Sequence, residues 1–524
     1  MSMQKSIVEG PIVLAILDGW GIAPESESNP ITSTALPTFD SLFKEGKTTQ
    51  LWAHGEYVGL PKDQDGNSEA GHLNLGAGRI VKQDPVIIND AIRDGTFFKN
   101  PAFMEAIKHT KRNNSQMHLM GMLSDGQSAH ATPEHLYALL ELMEKEKVEK
   151  VFLHLFADGR DSAPHIALTL AKDLLSHMRE SQKIATVAGR FYAMDRKKEW
   201  SRTELMYNAL MLGIGIQTKD VLSIFESQYA EGKSDEYIEP HVVMRADGSP
   251  VAVIDDNDSI IFFNHRSDRA RQLTKPFVQD DFIKMNPGSF IPKKRPKNLR
   301  FVAMTDFGPD LGDSLTAFPS VDVGKALPAI LKEKRQLYVA EAEKYAHMTY
   351  FFNGGYADPV GGEDRLMVPS PNVRRYDKTP AMSTKELTNV VVRGLTVQKY
   401  DFIGVNFACL DMVAHTGNFK AAQESLKAVD YALEEIKNAL LNLNGALVVT
   451  ADHGNIEEMK NLSTGELDTE HSKNRVPFII WCPGYLIPDL RAEGILADVA
   501  PTILDLFGIN KPEAMTGKSL FKAV

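Results

Sequence analysis

Cysteine is nearly absent, with only Cys409 and Cys482 in a chain of 524 residues. Two thiols make no disulfide framework and point to a reducing, cytoplasmic setting. Their flanks, "FACLD" and "IIWCPG", read as buried strand positions. Long apolar runs are missing too. The N-terminal run "PIVLAIL" (11–17) is too short to span a bilayer and lacks a small-residue cleavage site, and "LFKAV" carries no organellar address. An excess of basic residues is also lacking: 58 Lys and Arg against 69 Asp and Glu leave a net charge of −11. That argues against a nucleic-acid partner or an anionic membrane surface, and the short run "KKRPK" (293–297) reads as solvated. Local basic pockets for a small anion remain open. Repeats and low-complexity segments are absent.

What is present is an ordinary globular composition, 43% hydrophobic and 24% charged, in a chain long enough for two domains. "PIVLAIL" ends in Asp18-Gly19, the pattern of a buried parallel strand with a polar residue at its tip. "GALVVTADHGN" (445–455) and "DFIGVNFACLDMVAHTG" (401–417) repeat the device. Strand tips of an open α/β sheet form ligand crevices, so three such tips predict one site assembled from distant sequence. Between them, "QMHLMGMLSDG", "VFLHLFADGRD" and "KIATVAGRFYAMDR" alternate with helical stretches that have Pro133 and Pro164 near their first turns. The expected fold is α/β: a parallel-sheet domain over 1–81 and 313–524, with a second α/β domain inserted over 82–312. Two crossings would permit hinge closure.

The stretch "DGNSEAGHLNLGAGR" (65–79) sets Ser68 among glycines, where a serine either satisfies backbone groups or acts as a nucleophile. Asp411 and His415, four apart, make either a surface hydrogen bond or half of a metal site. Asp18, Asp452, His453 and His471 favour the metal. Carboxylates and imidazoles without thiolates suit Mn²⁺ or Zn²⁺, and a mainly oxygen set would lean to Mg²⁺. A metal beside Ser68 would activate its hydroxyl. Arg160, Arg190, Arg196, Arg266 and Arg269 lie next to turns or strand ends, where each is either a solvated rim residue or a fork for phosphate or carboxylate. His130 either donates to a substrate oxygen or caps the helix near Pro133. Asp161 either caps the helix that follows it or moves a proton. Lys344 sits in a helical-looking charged stretch, solvated by default, and His347 beside it reads as structural.

The ordered motifs "LDGWG", "NSEAGHLNLGAGR", "LSDGQSAHATPEH", "FADGRDSAP", "GRFYAMDR", "AEKYAHMTYFFNGG", "GEDRLMVPSP", "LDMVAHTG" and "TADHGNIEEM" closely resemble the cofactor-independent phosphoglycerate mutases, from about residue 10 to 520. The resemblance implies an alkaline-phosphatase-like parallel-sheet domain with an inserted transferase domain. It also implies two divalent ions, Mn²⁺ first, with Mg²⁺, Co²⁺ or Zn²⁺ admissible, and no 2,3-bisphosphoglycerate. One ion would take Asp411, His415 and His471; the other would take Asp18, Ser68, Asp452 and His453. Ser68 would become a transient phosphoserine, Lys344 would stabilise the transferring phosphoryl group, and Asp161 would shuttle protons. His130, Arg160, Asp161, Arg190, Arg196, Arg266 and Arg269 would hold substrate. The implied reaction converts 3-phosphoglycerate to 2-phosphoglycerate in a monomer, in glycolysis and gluconeogenesis, with domain closure excluding water. The alternative is another metal-dependent phosphatase or sugar-phosphate mutase of the superfamily. Ala414 replaces a commoner glycine, which requires ordinary helix geometry there, and "NHRSDR" replaces "NFRPDR", so His265 and Ser267 would retune the arginine loop.

Overall fold

The computed structural model describes residues 6–312, 314–320 and 322–522. Met1–Lys5, Asp313, Val321 and Ala523–Val524 lie outside the described residues, and with them the ends of the segments read above for targeting signals. The chain forms two compact units, Met1–Gln83 with Asp322–Val524, and Asp84–Val321. These borders differ from the expected 81/82 and 312/313. The strand Leu315–Phe318 pairs with Arg300–Thr305, so the ladder draws the following residues into the second unit.

The first unit is built on an eight-stranded sheet in the order Asp364–Val368, Gln336–Glu341, Phe402–Phe407, Ile12–Leu17, Ala446–Thr450, Val476–Trp481, Lys47–Trp52, Glu493–Ile495. Its first five strands are parallel, and Val476–Trp481 runs against both neighbours. Every residue of Ile12–Leu17 and Phe402–Phe407 is buried, as a parallel sheet covered on both faces requires. The helix Phe419–Leu441 shows how that cover forms. Ala422, Leu426, Val429, Leu433, Ile436 and Leu440 recur at three- and four-residue steps and are buried, while Asn418 accepts from Ala421 N at its start. Among the described residues no helix is long and apolar enough to cross a membrane.

The second unit has its own eight-stranded sheet, ordered Leu315–Phe318, Arg300–Thr305, Ser259–Phe262, Met117–Leu123, Val151–Ala157, Gln182–Gly189, His241–Val243, Ile216–Thr218. Its first six strands are parallel.

Two local expectations change. Cys409 is not in a strand but opens the helix Cys409–Ala414, and Cys482 follows the strand Val476–Trp481; both thiols are free and buried. Lys344 is neither helical nor solvated. It occupies the turn after Gln336–Glu341 and is buried, because the strand delivers it among carboxylates. Ala414 has the ordinary helical backbone that its side chain requires.

Candidate active site

Four parallel strands of the first unit deliver Asp18, Lys344, Asp411 and the Asp452-His453 pair to one place. Ser68 arrives on the helix Ser68–Ala77 and is not its cap. Asn67 is the cap, its side chain accepting from Ala70 N at 2.8 Å, so the Ser68 hydroxyl is released from that duty. Ser68 Oγ lies 2.9 Å from His453 Nε2, 2.7 Å from Lys344 Nζ and 3.4 Å from Asp18 Oδ1. Gly71 lets this helix close on the strand tip, since a Cβ there would sit 2.5 Å from Asp452 O. Gly19, at φ +79°, makes the turn that follows Asp18.

Lys344 Nζ is also 2.7 Å from Asp18 Oδ1 and from Asp411 Oδ2, the single buried ammonium of this carboxylate cluster. Burial pushes the Asp18 carboxyl up, and Asp452 reinforces that. Burial acts the same way on Asp411, yet Lys344 and hydrogen bonds from His415 and His471 hold it well below the usual carboxylate range. One site thus contains carboxylates driven in opposite directions, a common mark of functional clusters.

The donor set fits a cation. His415 Nδ1 lies 2.7 Å from Thr469 O and His471 Nδ1 lies 2.8 Å from Gly66 O, so each Nδ1 donates to a carbonyl and each Nε2 is turned inward, its proton facing Asp411 and its lone pair released for a cation once that proton is lost. The two Nε2 atoms are 3.1 Å apart and stand 3.3 and 3.4 Å from Asp411 Oδ1. A divalent ion would take the place of the two Nε2 protons, and these spacings match the roughly 3.3 Å edge of a tetrahedron with metal bonds of about 2.05 Å. Beside it, the sets Asp18–Asp411–His453 and Asp18–His72–Asp452 also bring ligand atoms within 4.8 Å of one another. Asp452 Oδ2 is buried there, with His72 Nδ1 3.1 Å away.

In the second unit, the segments after three parallel strands, Val151–Ala157, Gln182–Gly189 and Ser259–Phe262, carry the arginines. Asp161 does not cap the following helix. That helix begins at Ala167, and Asp235 Oδ2 accepts from Ile166 N and Ala167 N instead. Asp161 Oδ2 accepts from Arg190 Nη1 at 2.7 Å and Ser128 Oγ at 2.8 Å, and these partners hold its carboxyl below the usual range against burial. Arg190 is buried and shared with Asp158, whose carboxylate also receives the Arg160, Asp161 and Ser162 backbone amides. Asp268 gathers the next group: Arg196 Nη1 at 2.5 Å, Arg266 Nε at 3.3 Å and His130 Nδ1 at 3.7 Å. Burial pushes the His130 imidazole down to about 4. Neither His130 nor Thr132 caps the helix at Pro133 through its side chain. His265 sits behind His130, its backbone N–H donating to His130 O at 2.9 Å. Arg160 reaches Glu236 at 3.6 Å, and Arg269 donates to Met194 O at 3.4 Å. Arg160, Arg196 and Arg266 keep half-exposed side chains able to meet an anion.

Sequence reasoning passed over His72, Asn406, Asn455, Glu457, Asp158 and Asp268. Asn455 donates to Asp411 Oδ1 at 2.7 Å, and buried Glu457 accepts from Gly21 N, Asn455 N and the Ser472 hydroxyl. His72, Asn455, Glu457 and Asp158 stood inside the ordered motifs, and Asp268 inside "NHRSDR". Asn406 carried no signal beyond a polar residue in an apolar strand.

The family model described as BPG-independent PGAM N-terminus (iPGM_N) matches residues 88–309, and the Sulfatase model matches 342–509. The 2,3-bisphosphoglycerate-independent phosphoglycerate mutase 2 of Methanosarcina acetivorans is 46% identical over 526 residues, covering 99% of each chain. The 2,3-bisphosphoglycerate-independent phosphoglycerate mutase of Clostridium novyi is 46% identical over 516 residues, covering 98% of this chain and 99% of that protein. A crystal structure of Leishmania mexicana phosphoglycerate mutase at low cobalt concentration aligns over 100% of both chains, with a TM-score of 0.72 and 27% identity.

Proposed function

The chain belongs to the 2,3-bisphosphoglycerate-independent phosphoglycerate mutases of the alkaline phosphatase superfamily, and from that membership we propose how its residues divide the reaction. It interconverts 3-phosphoglycerate and 2-phosphoglycerate through a phosphoserine, with divalent metal and without 2,3-bisphosphoglycerate, in glycolysis and gluconeogenesis. The alternative, another phosphatase or sugar-phosphate mutase, gives way to 46% identity over the whole chain.

Ser68 is the nucleophile, and the observation that carries this is its Oγ standing 2.9 Å from His453 Nε2 and 2.7 Å from Lys344 Nζ. Asp411, His415 and His471 would hold one divalent ion, and Asp18, Ser68, Asp452 and His453 a second. Mn²⁺ leads for this mixed N/O set, with Mg²⁺, Co²⁺ and Zn²⁺ as the others. Bound ions neutralise the carboxylates and polarise phosphoryl oxygens. Ser68 opens a helix, where free backbone N–H groups favour the negative charge of a bound phosphoryl group. Lys344 adds positive charge at the transferring oxygens.

Arg160, Arg196, Arg266, Arg269 and His130 bind the glycerate carboxylate and hydroxyls, while buried Arg190 holds Asp161 in place. In each half-reaction one glycerate oxygen gains or loses a proton, and Asp161 is the carboxylate assigned to it. Both clusters are supplied by one chain, which supports action as a monomer. The free thiols support a cytoplasmic setting.

The test is turnover of 3-phosphoglycerate by metal-stripped protein, with and without Mn²⁺, in the absence of 2,3-bisphosphoglycerate. Metal-restored 2-phosphoglycerate without matching phosphate release is expected. Phosphate release without isomer would favour the phosphatase reading.

A further inference from the structure

Two buried side chains with no part in the steps above, Asn406 and His72, join the nucleophile helix to the carboxylates. Asn406 lies on the strand Phe402–Phe407, in register with Ile16 and so beside the tip that carries Asp18. Its Nδ2 is 2.7 Å from Asp18 Oδ2 and 3.0 Å from His72 Nε2. A carboxamide has two N–H donors, one for each partner. The reversed amide would set Oδ1 against the Asp18 carboxylate, so the network fixes the orientation.

Donation to Nε2 places the His72 proton on Nδ1. Nδ1 lies 2.9 Å from the Ser68 carbonyl oxygen and 3.1 Å from Asp452 Oδ2. One amide therefore orients Asp18 directly, and through His72 it ties the first turn of the Ser68 helix to the neighbourhood of Asp452. Asp18 Oδ1 is left facing Lys344 at 2.7 Å and Ser68 at 3.4 Å.

We propose that Asn406 is a positioning residue for phosphoryl transfer, acting on Asp18 by a direct hydrogen bond and on Ser68 and Asp452 by selecting the Nδ1–H tautomer of His72. The inference rests on the mutase reading for the reaction it serves, but not for the contacts themselves.

The experiment compares wild type with Asn406→Asp, which keeps the shape and loses both donors, and Asn406→Leu. Three quantities are read: kcat and KM for 3-phosphoglycerate, Mn²⁺ affinity by calorimetry, and the His72 ring-nitrogen shifts in ¹⁵N-histidine-labelled protein, assigned with His72→Gln. Loss of such an outer-layer partner commonly costs about 10–100-fold in metal affinity or activity, and that loss is expected in kcat and Mn²⁺ affinity. KM should stay within about two-fold, because no substrate arginine is touched. The His72 signals should leave the pure Nδ1–H pattern. Unchanged kcat, a rise in KM alone, or unaltered His72 shifts in a folded variant would overturn the proposal. Thermal unfolding checks both variants, and if Asn406→Leu does not fold, Asn406→Asp decides. A wild-type chain that fails to isomerise 3-phosphoglycerate would remove the reaction reading, while Mn²⁺ affinity and the His72 shifts would still decide the role of Asn406.

Discussion

Replacing Lys344 by Met separates two roles that the geometry gives one ammonium. Nζ is 2.7 Å from Asp18 Oδ1, Asp411 Oδ2 and Ser68 Oγ, with only 6% of its side chain exposed. At an effective dielectric of about 20, each carboxylate contact is worth roughly 6 kcal/mol of gross attraction. Desolvation offsets most of it, and removing one partner of a buried pair costs about 3–5 kcal/mol because the other charge is stranded. Without metal, Lys344→Met should therefore melt roughly 10 °C below wild type. A divalent ion takes the same oxygens. Wild type is stabilised by Mn²⁺ as well, so at saturation the gap narrows by RT ln of the ratio of the two dissociation constants, about 2.7 kcal/mol if the variant binds 100-fold more tightly. The variant should bind Mn²⁺ more tightly than wild type, because no ammonium competes, and yet turn over about 10²–10³-fold more slowly. Thermal unfolding in chelator and in Mn²⁺, with calorimetric Mn²⁺ binding, reads all of this. A melting deficit equal in both conditions, or weaker Mn²⁺ binding, would refute the competition argument.

Asp161→Asn should lower kcat by about 10²–10⁴-fold while Mn²⁺ affinity stays at the wild-type value, checked by steady-state kinetics and calorimetry; a fall in metal affinity would move Asp161 out of the proton role. Burial pushes the Glu341 carboxyl up from 4.5 to about 7, so the folded chain holds a proton there that the unfolded chain releases. Stability should fall as pH rises from about 4.5 to about 7 and then level, a loss of about 3 kcal/mol, and Glu341→Gln should remove that component. Urea unfolding of both proteins across this range measures it, and a pH-independent difference between them would contradict the burial argument. Asn67→Ala should cost about 1 kcal/mol in the same assay through the lost cap, and no change would mean another group satisfies Ala70 N.

Strands and their polar tips were legible because both sheets are largely parallel. Buried parallel strands such as Ile12–Leu17 read as unbroken apolar runs, and whatever polar residue ends them stands out. The same logic misled at Lys344, where "EAEKYAH" has helical composition but its first residue ends the strand Gln336–Glu341, Lys344 lies in the turn that follows, and helical backbone begins only at Tyr345. It misled again at Cys409, whose apolar neighbours continue past the strand into a helix. The units divide a few residues beyond the expected 312/313, because Leu315–Phe318 is short and is held by pairing with Arg300–Thr305, a contact no local pattern encodes.

Asp18, Asp411, Asp452 and His453 stood out in the sequence because each follows an apolar run. Asp158, at a strand tip inside "FADGRDSAP", and Asp268, inside "NHRSDR", were passed over all the same, since acids beside arginines read as solvated pairs until the fold shows Arg190 buried and Asp268 collecting three cationic or imidazole partners. Asp161 had two open readings, and only the position of Asp235 at the helix start removes the capping one.

The central claim is that Ser68 carries the phosphoryl group between the two glycerate oxygens. Rapid acid quench of the Mn²⁺-loaded chain with phosphoryl-labelled 3-phosphoglycerate, followed by mass spectrometry of the peptide spanning residues 65–79, tests it most directly. The account predicts label on Ser68 within one turnover, none in metal-stripped protein, and no turnover in Ser68→Ala. Label on another residue, or isomerisation persisting in Ser68→Ala, would contradict it.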